Sequence, residues 1–136
     1  MMTVKRSECA VLPLVLKRKW YALIASGKKP EEYRENKPYW KKRILRWLYD
    51  PRPCHIVAFS CGYNKPDMWF IASTSWNTYT GAERPDLGEP REEHFKIHLL
   101  ERVQLVDDIT GDTYDECRKF LAEHGVPEVL GGERIE

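Results

Sequence analysis

The chain has 136 residues, a length that supports one domain with a real core and argues against two. Hydrophobic residues make up 42% and charged ones 32%, with five Trp, seven Tyr and four Phe, which speaks for a folded globular chain and against disorder. A net charge of +1 excludes a strongly basic protein that coats nucleic acid, while leaving room for a local basic patch.

The N-terminal half comes first. Residues 1–9 read as a polar, frayed start. Val11 to Leu16 is a near-continuous apolar run, hence a buried strand, and Pro13 places it early or at an edge. The run is too short for a signal peptide and leads straight into Lys17-Arg18-Lys19. From Arg18 to Ser26, Trp20, Leu23 and Ile24 fall on one helical face, and Gly27 suits the position that stops the helix. Lys17 thus sits at a strand-to-helix junction, where a side chain is placed to face a pocket.

The stretch from Gly27 to Glu35 packs two lysines, three glutamates and one arginine into nine positions. Extended after Pro30, it alternates faces. Glu32 and Arg34 then point one way, and Glu31, Tyr33 and Glu35 the other. A carboxylate and a guanidinium on one face form a charge-assisted pair. With Lys29 nearby, they offer donors and acceptors to a polar planar ligand such as a nucleobase. The simpler reading is a solvated charged turn.

Pro38 suits the first turn of a second helix, in which Trp40, Ile44, Trp47 and Leu48 line the apolar face. Lys42 and Arg46 lie opposite, flanked by Lys41 and Arg43. That basic side suits phosphates, although a solvated helix face explains it as well. Asp50-Pro51-Arg52-Pro53 ends the helix. His55 to Cys61 is the clearest strand, 62–67 a hairpin loop and Met68 to Ala72 the return strand. The stretch from Gly81 to Glu93 has Leu87 as its one apolar anchor and is expected to be among the more mobile parts. Phe95, Ile97 and Leu99 mark a half-buried strand that continues through Val103 and Leu105 after an irregularity near Glu101-Arg102. Thr113 to Glu116 matches a capping box before a last helix ended by Gly125 and Pro127. The tail from 126 to 136 reads as loose.

The four cysteines, Cys9, Cys54, Cys61 and Cys117, form no CxxC pair and read as reduced thiols of a cytoplasmic protein. His94 and His98 share the polar face of one strand, so a zinc site is geometrically possible. No zinc-type spacing is matched, however, and two exposed strand histidines is the stronger reading; no metal and no cofactor is expected. No stretch is long enough to span a membrane, so no membrane partner is expected. Trp20, Trp76 and Tyr63 are the candidates for stacking on a base, with Tyr63 the best placed and Trp20 assigned to the helix core.

Leu14 to Lys17, Trp20, Ile24, Ser26-Gly27-Lys28-Lys29, Glu32 and Arg34 together resemble the N-terminal signature of the ASCH domain family. Its hallmark is a Gly-x-Lys-x-x-Glu-x-Arg run after a strand and a helix, here Gly27, Lys29, Glu32 and Arg34. Phe59 to Tyr63 resembles a strand-and-turn motif of some members. The resemblance covers the first half of the chain and implies a PUA-like fold: one α+β domain over 1–136, a small mixed, mainly antiparallel β-barrel with helices packed around it. It also implies a cleft lined by Lys29, Glu32 and Arg34 that binds RNA, a nucleotide or a modified nucleobase.

With Lys17 and Tyr63 added, these are the expected ligand-binding residues. One branch of the family is similar to N4-acetylcytidine amidohydrolases, in which a Lys acts with a Thr three residues on. Here the residue three on from Lys29 is Glu32, which favours binding over hydrolysis. The alternatives are an enzyme acting on a modified nucleoside or on RNA, with Lys29 and Glu32 sharing acid/base work, and a protein-interaction domain with a vestigial cleft.

Overall fold

The structure is a computed structural model that describes residues 1–77, 82–106 and 122–123. The chain divides into two compact units, Met1–Val106 and Asp107–Glu136. The expected capping box at 113–116, its helix and the tail fall outside the described residues.

The first unit is a small α+β fold. It contains strands β1 (Met2–Lys5) and β2 (Cys9–Leu16), helix α1 (Arg18–Ala25), strand β3 (Glu31–Glu35), helix α2 (Pro38–Leu48), and strands β4 (Cys54–Cys61), β5 (Met68–Asn77) and β6 (His94–Val106). All six strands join one sheet in the order β1-β6-β5-β4-β2, with β3 also on β6. The β3–β6, β4–β5 and β5–β6 junctions are antiparallel, whereas β1–β6 and β2–β4 are parallel. The four strands expected to share a sheet do so. Among the described residues the sheet is open, since no backbone ladder joins β2 to β1 or β3.

Three differences from the sequence reading have physical causes. Where a frayed start was expected, Met2–Lys5 pairs in parallel with residues 103–106, so the sheet supplies the partner that a sequence does not display. Strand β5 runs on to Asn77 rather than stopping at Ala72, because β6 is long enough to pair with all of it. The irregularity in β6 is a bulge at Leu100: Ala72 faces Leu99 while Ile71 faces Glu101. One extra residue reverses which face the odd positions take. Phe95, Ile97 and Leu99 accordingly join the cluster with Leu12, Leu14, Phe59, Ile24 and Trp47, whereas Val103 and Leu105 join Cys9 and Ile56 in a second cluster.

Both helices pack against the first cluster, α1 through Ile24 and α2 through Ile44 and Trp47. The Trp47 indole donates to the Ala10 and Ile56 carbonyls at 2.9 and 3.0 Å, which pins α2 to β2 and β4. Cys9 faces Cys54 across the β2–β4 ladder. Burial, then the hydrogen bond with Cys54, pushes the Cys9 thiol from 9.0 up to about 12. In native protein at mildly alkaline pH, Cys9 should stay unmodified by iodoacetamide and react only after unfolding, read by peptide mass. Labelling of Cys9 as fast as of a free thiol would contradict its place in the second cluster.

Candidate functional site

The charged stretch becomes β3 because Glu31 to Glu35 pairs antiparallel with His98 to His94 of β6. Gly27, at φ 81°, turns the chain out of α1 as the spacing predicts. The amide of Lys29 then bonds back to the Leu23 carbonyl, which folds its side chain inward.

Glu32 and Arg34 share one face as expected, and Arg34 Nη2 donates to Glu32 Oε2 at 2.6 Å. The same Nη2 reaches the Val15 carbonyl at 3.1 Å. Arg34 stands on β3 and Val15 on β2, strands at opposite ends of the sheet order, so one guanidinium bridges two strands that share no ladder. Its plane lies over the Trp40 ring, 4.6 Å from the centroid. Its Nε is buried and has no hydrogen-bond partner among the described residues.

Lys29 departs most from expectation. It was read as lining the cleft, yet it is 2% exposed. Its Nζ donates to the Leu87 carbonyl, sits 3.4 Å from Glu32 Oε1 and lies over the Tyr33 ring at 4.3 Å. Burial pushes the ammonium below its ordinary 10.5, while the Glu32 carboxylate pulls the other way. The lysine is therefore part of the wall's support. It is tied to Leu87, within the stretch from Gly81 to Glu93 that was expected to be among the more mobile parts and that makes several buried contacts. Leu87 is buried, the Glu89 carboxylate accepts from the Glu83 and Arg84 amides at 2.9 and 2.8 Å, and His94 Nε2 lies 3.0 Å from its other oxygen. His94, expected to be exposed, is fully buried for this reason. His98 instead meets Glu31 at 2.9 Å and Ser75. Among the described residues no three His, Cys, Asp or Glu side chains gather to hold a metal ion.

The space beside these groups is a cleft of about 380 Å³, lined by Val15, Leu16 and Lys17 at the end of β2, Trp20 of α1, Glu32 to Glu35 of β3, Trp40 of α2, and Gly88 and Pro90. Lys17 is exposed at the cleft, as its junction position predicts. Gly88, at φ 86°, lies so close to Trp20 that an added Cβ would stand 3.0 Å from the ring, so the segment and the indole form one wall. Tyr63 is fully exposed and does not line the cleft, although the Gly62 amide beside it bonds to the Leu16 carbonyl. Trp76 packs edge-on against Phe95, away from the lining. Sequence reasoning missed Trp40, Gly88 and Pro90. Trp40 was read as core from its periodicity, and nothing local marks Gly88 or Pro90.

Among the described residues no helix is long and apolar enough to cross a membrane. Compared with known proteins, the chain matches no family model, no curated protein and no solved structure. The chemistry of the site therefore rests on its geometry: two tryptophans, a guanidinium over one of them, a buried carboxylate and an exposed lysine at the opening.

Proposed function

We propose that the cleft binds a nucleobase-containing ligand, an RNA nucleotide or a modified nucleoside, in a domain of the PUA-like, ASCH kind. The observation that carries this reading is Arg34. Its guanidinium lies 4.6 Å from the Trp40 ring centroid and lines the cleft together with Trp20, so a fixed cation and two indoles stand where a planar base can stack. The indoles supply stacking surface, and Lys17 takes the phosphate. The Arg34 bridge from β3 to β2 supports a sheet rolled towards a barrel. Binding fits better than hydrolysis because Lys29 and Glu32 hold each other and the Leu87 carbonyl, and no Ser, Thr or Cys stands among the described lining residues.

Trp20 and Trp40 make the cleft its own reporter. Nucleosides and their monophosphates should quench intrinsic fluorescence on titration. Lys17→Ala should weaken the monophosphate while leaving the nucleoside nearly unchanged, with an unaltered melting temperature because Lys17 is exposed. Absence of quenching by every nucleoside and nucleotide at millimolar concentration would remove the nucleobase reading.

A further inference from the structure

Helix α2 carries a feature that neither the core nor the cleft uses. Tyr39, Lys42, Arg43 and Arg46 recur at i, i+3, i+4 and i+7, which makes one stripe, and all four are exposed. No acidic residue occurs from Lys37 to Tyr49. Lys37, Arg52 and Arg84 each meet a nearby carboxylate, at 3.3, 3.8 and 3.2 Å. Among the described residues, no carboxylate pairs with Lys42, Arg43 or Arg46. Like charges one turn apart on a helix oppose its formation, so an uncompensated row is a cost that a neutral surface has no need to carry. The row borders two hollows. One of about 250 Å³ lies among Tyr39, Lys42, Arg43 and Arg46. Another of about 180 Å³ lies where Arg43 and Arg46 face β2, Asp50 and Arg52. The Asp50 carboxylate there is engaged by the Arg52 amide at 2.9 Å.

We propose that this face of α2 binds the phosphodiester backbone of a single-stranded nucleic acid. Lys42, Arg43 and Arg46 meet phosphates and Tyr39 stacks on a base. A row of cations along a helix fits a polymer of regularly spaced charges better than one free phosphate. The aromatic ring separates a polynucleotide from an acidic polypeptide. Tyr39 is 59% exposed and lies 4.4 Å from the Arg43 guanidinium, and its ring offers a stacking surface that a base uses and a carboxylate side chain does not. The stripe shares no lining residue with the cleft, so it stands whether or not the cleft takes a nucleobase.

The test is fluorescence anisotropy with labelled oligouridylate and oligodeoxythymidylate over roughly 50 to 200 mM salt. Wild type should bind, and its log affinity should fall linearly with log salt. The triple variant Lys42→Gln, Arg43→Gln, Arg46→Gln should lose about 2 from that slope, at roughly 0.7 per phosphate contact on a single strand. The charge-keeping triple Lys42→Arg, Arg43→Lys, Arg46→Lys should retain the slope, which separates charge from any effect on folding. Tyr39→Ala should weaken binding about tenfold with the slope intact. Equal binding of both polymers assigns recognition to the backbone, and tighter RNA binding adds the 2′-hydroxyl to it; both fit the proposal. Three results overturn it: no oligonucleotide binding by wild type, an unchanged slope in the glutamine triple, or polyglutamate competing as well as the oligonucleotide. Loss of oligonucleotide binding in Lys17→Ala but not in the glutamine triple assigns the polymer to the cleft and overturns it too.

Discussion

Glu32→Ala should destabilise the fold by about 3–5 kcal/mol, the cost of leaving buried charge without its partner. For a chain of this size that corresponds to a fall in melting temperature of roughly 10–20 °C. Glu32 is 6% exposed and is shared by two cations, Lys29 at 3.4 Å and Arg34 at 2.6 Å. Removing it leaves two cations beside each other with no carboxylate between them, held by the Leu87 and Val15 carbonyls and the Tyr33 and Trp40 rings. Lys29→Met should lower that cost, so the double variant should be more stable than Glu32→Ala alone, a coupling read from a double-mutant cycle.

The pH dependence gives a signature that mere cavity formation lacks. Lys29 already has a folded pKa below 10.5 because it is buried, so in the interval between the two values the unfolded chain binds its proton more tightly. Its contribution to stability therefore rises with pH in that window. Without Glu32 the folded pKa falls further, and the deficit of Glu32→Ala relative to wild type should shrink as pH approaches 10.5. A melting temperature for Glu32→Ala within a degree or two of wild type would mean that the triad is not buried as described.

Glu89→Ala should have a comparable effect, about 3–5 kcal/mol, by a different route. The Glu89 carboxylate is fully buried and holds together the Glu83 and Arg84 amides, His94 at 3.0 Å and Lys96 at 3.4 Å. His94 Nδ1 lies 2.7 Å from the Glu92 carbonyl and Nε2 3.0 Å from Glu89, so the ring spans two acceptors. Burial alone would raise the Glu89 pKa. The Arg84 amide, His94 and Lys96 outweigh it, and the net shift is below 4.5. A depressed carboxyl contributes stability that is present above 4.5 and lost as pH falls through the folded value.

Wild type should therefore lose stability on acidification below pH 4.5, and Glu89→Gln should show a shallower acid limb. Because Gly88 and Pro90 flank this residue and line the cleft, Glu89→Gln should also weaken ligand binding without touching ligand. Identical acid limbs for the two proteins would show that Glu89 is not the anchor of this segment.

Local chemistry was enough to determine much of the first half from sequence. Apolar runs and helical spacing placed β2, α1 and α2, because each buries one face and the pattern repeats within a few residues. Gly27 marked the end of α1 through its positive φ, and strand alternation put Glu32 and Arg34 on one face, where they pair. Long-range partners were not legible. Strand β1 exists because β6 offers it an edge, and the bulge at Leu100 decides which face Val103 and Leu105 bury. Lys29 looked like a free ligand-binding cation because its acceptor, the Leu87 carbonyl, lies 58 residues away. The segment 82–93 looked loose because its anchors are one leucine and one buried glutamate, whose partners lie on β3's approach and on β6. Trp40 looked like core because periodicity reports that a face is covered, not whether protein or ligand covers it. Local sequence thus sets what each residue needs; only the tertiary fold, by bringing distant groups within bonding distance, decides which group meets that need, as the Leu87 carbonyl does for Lys29.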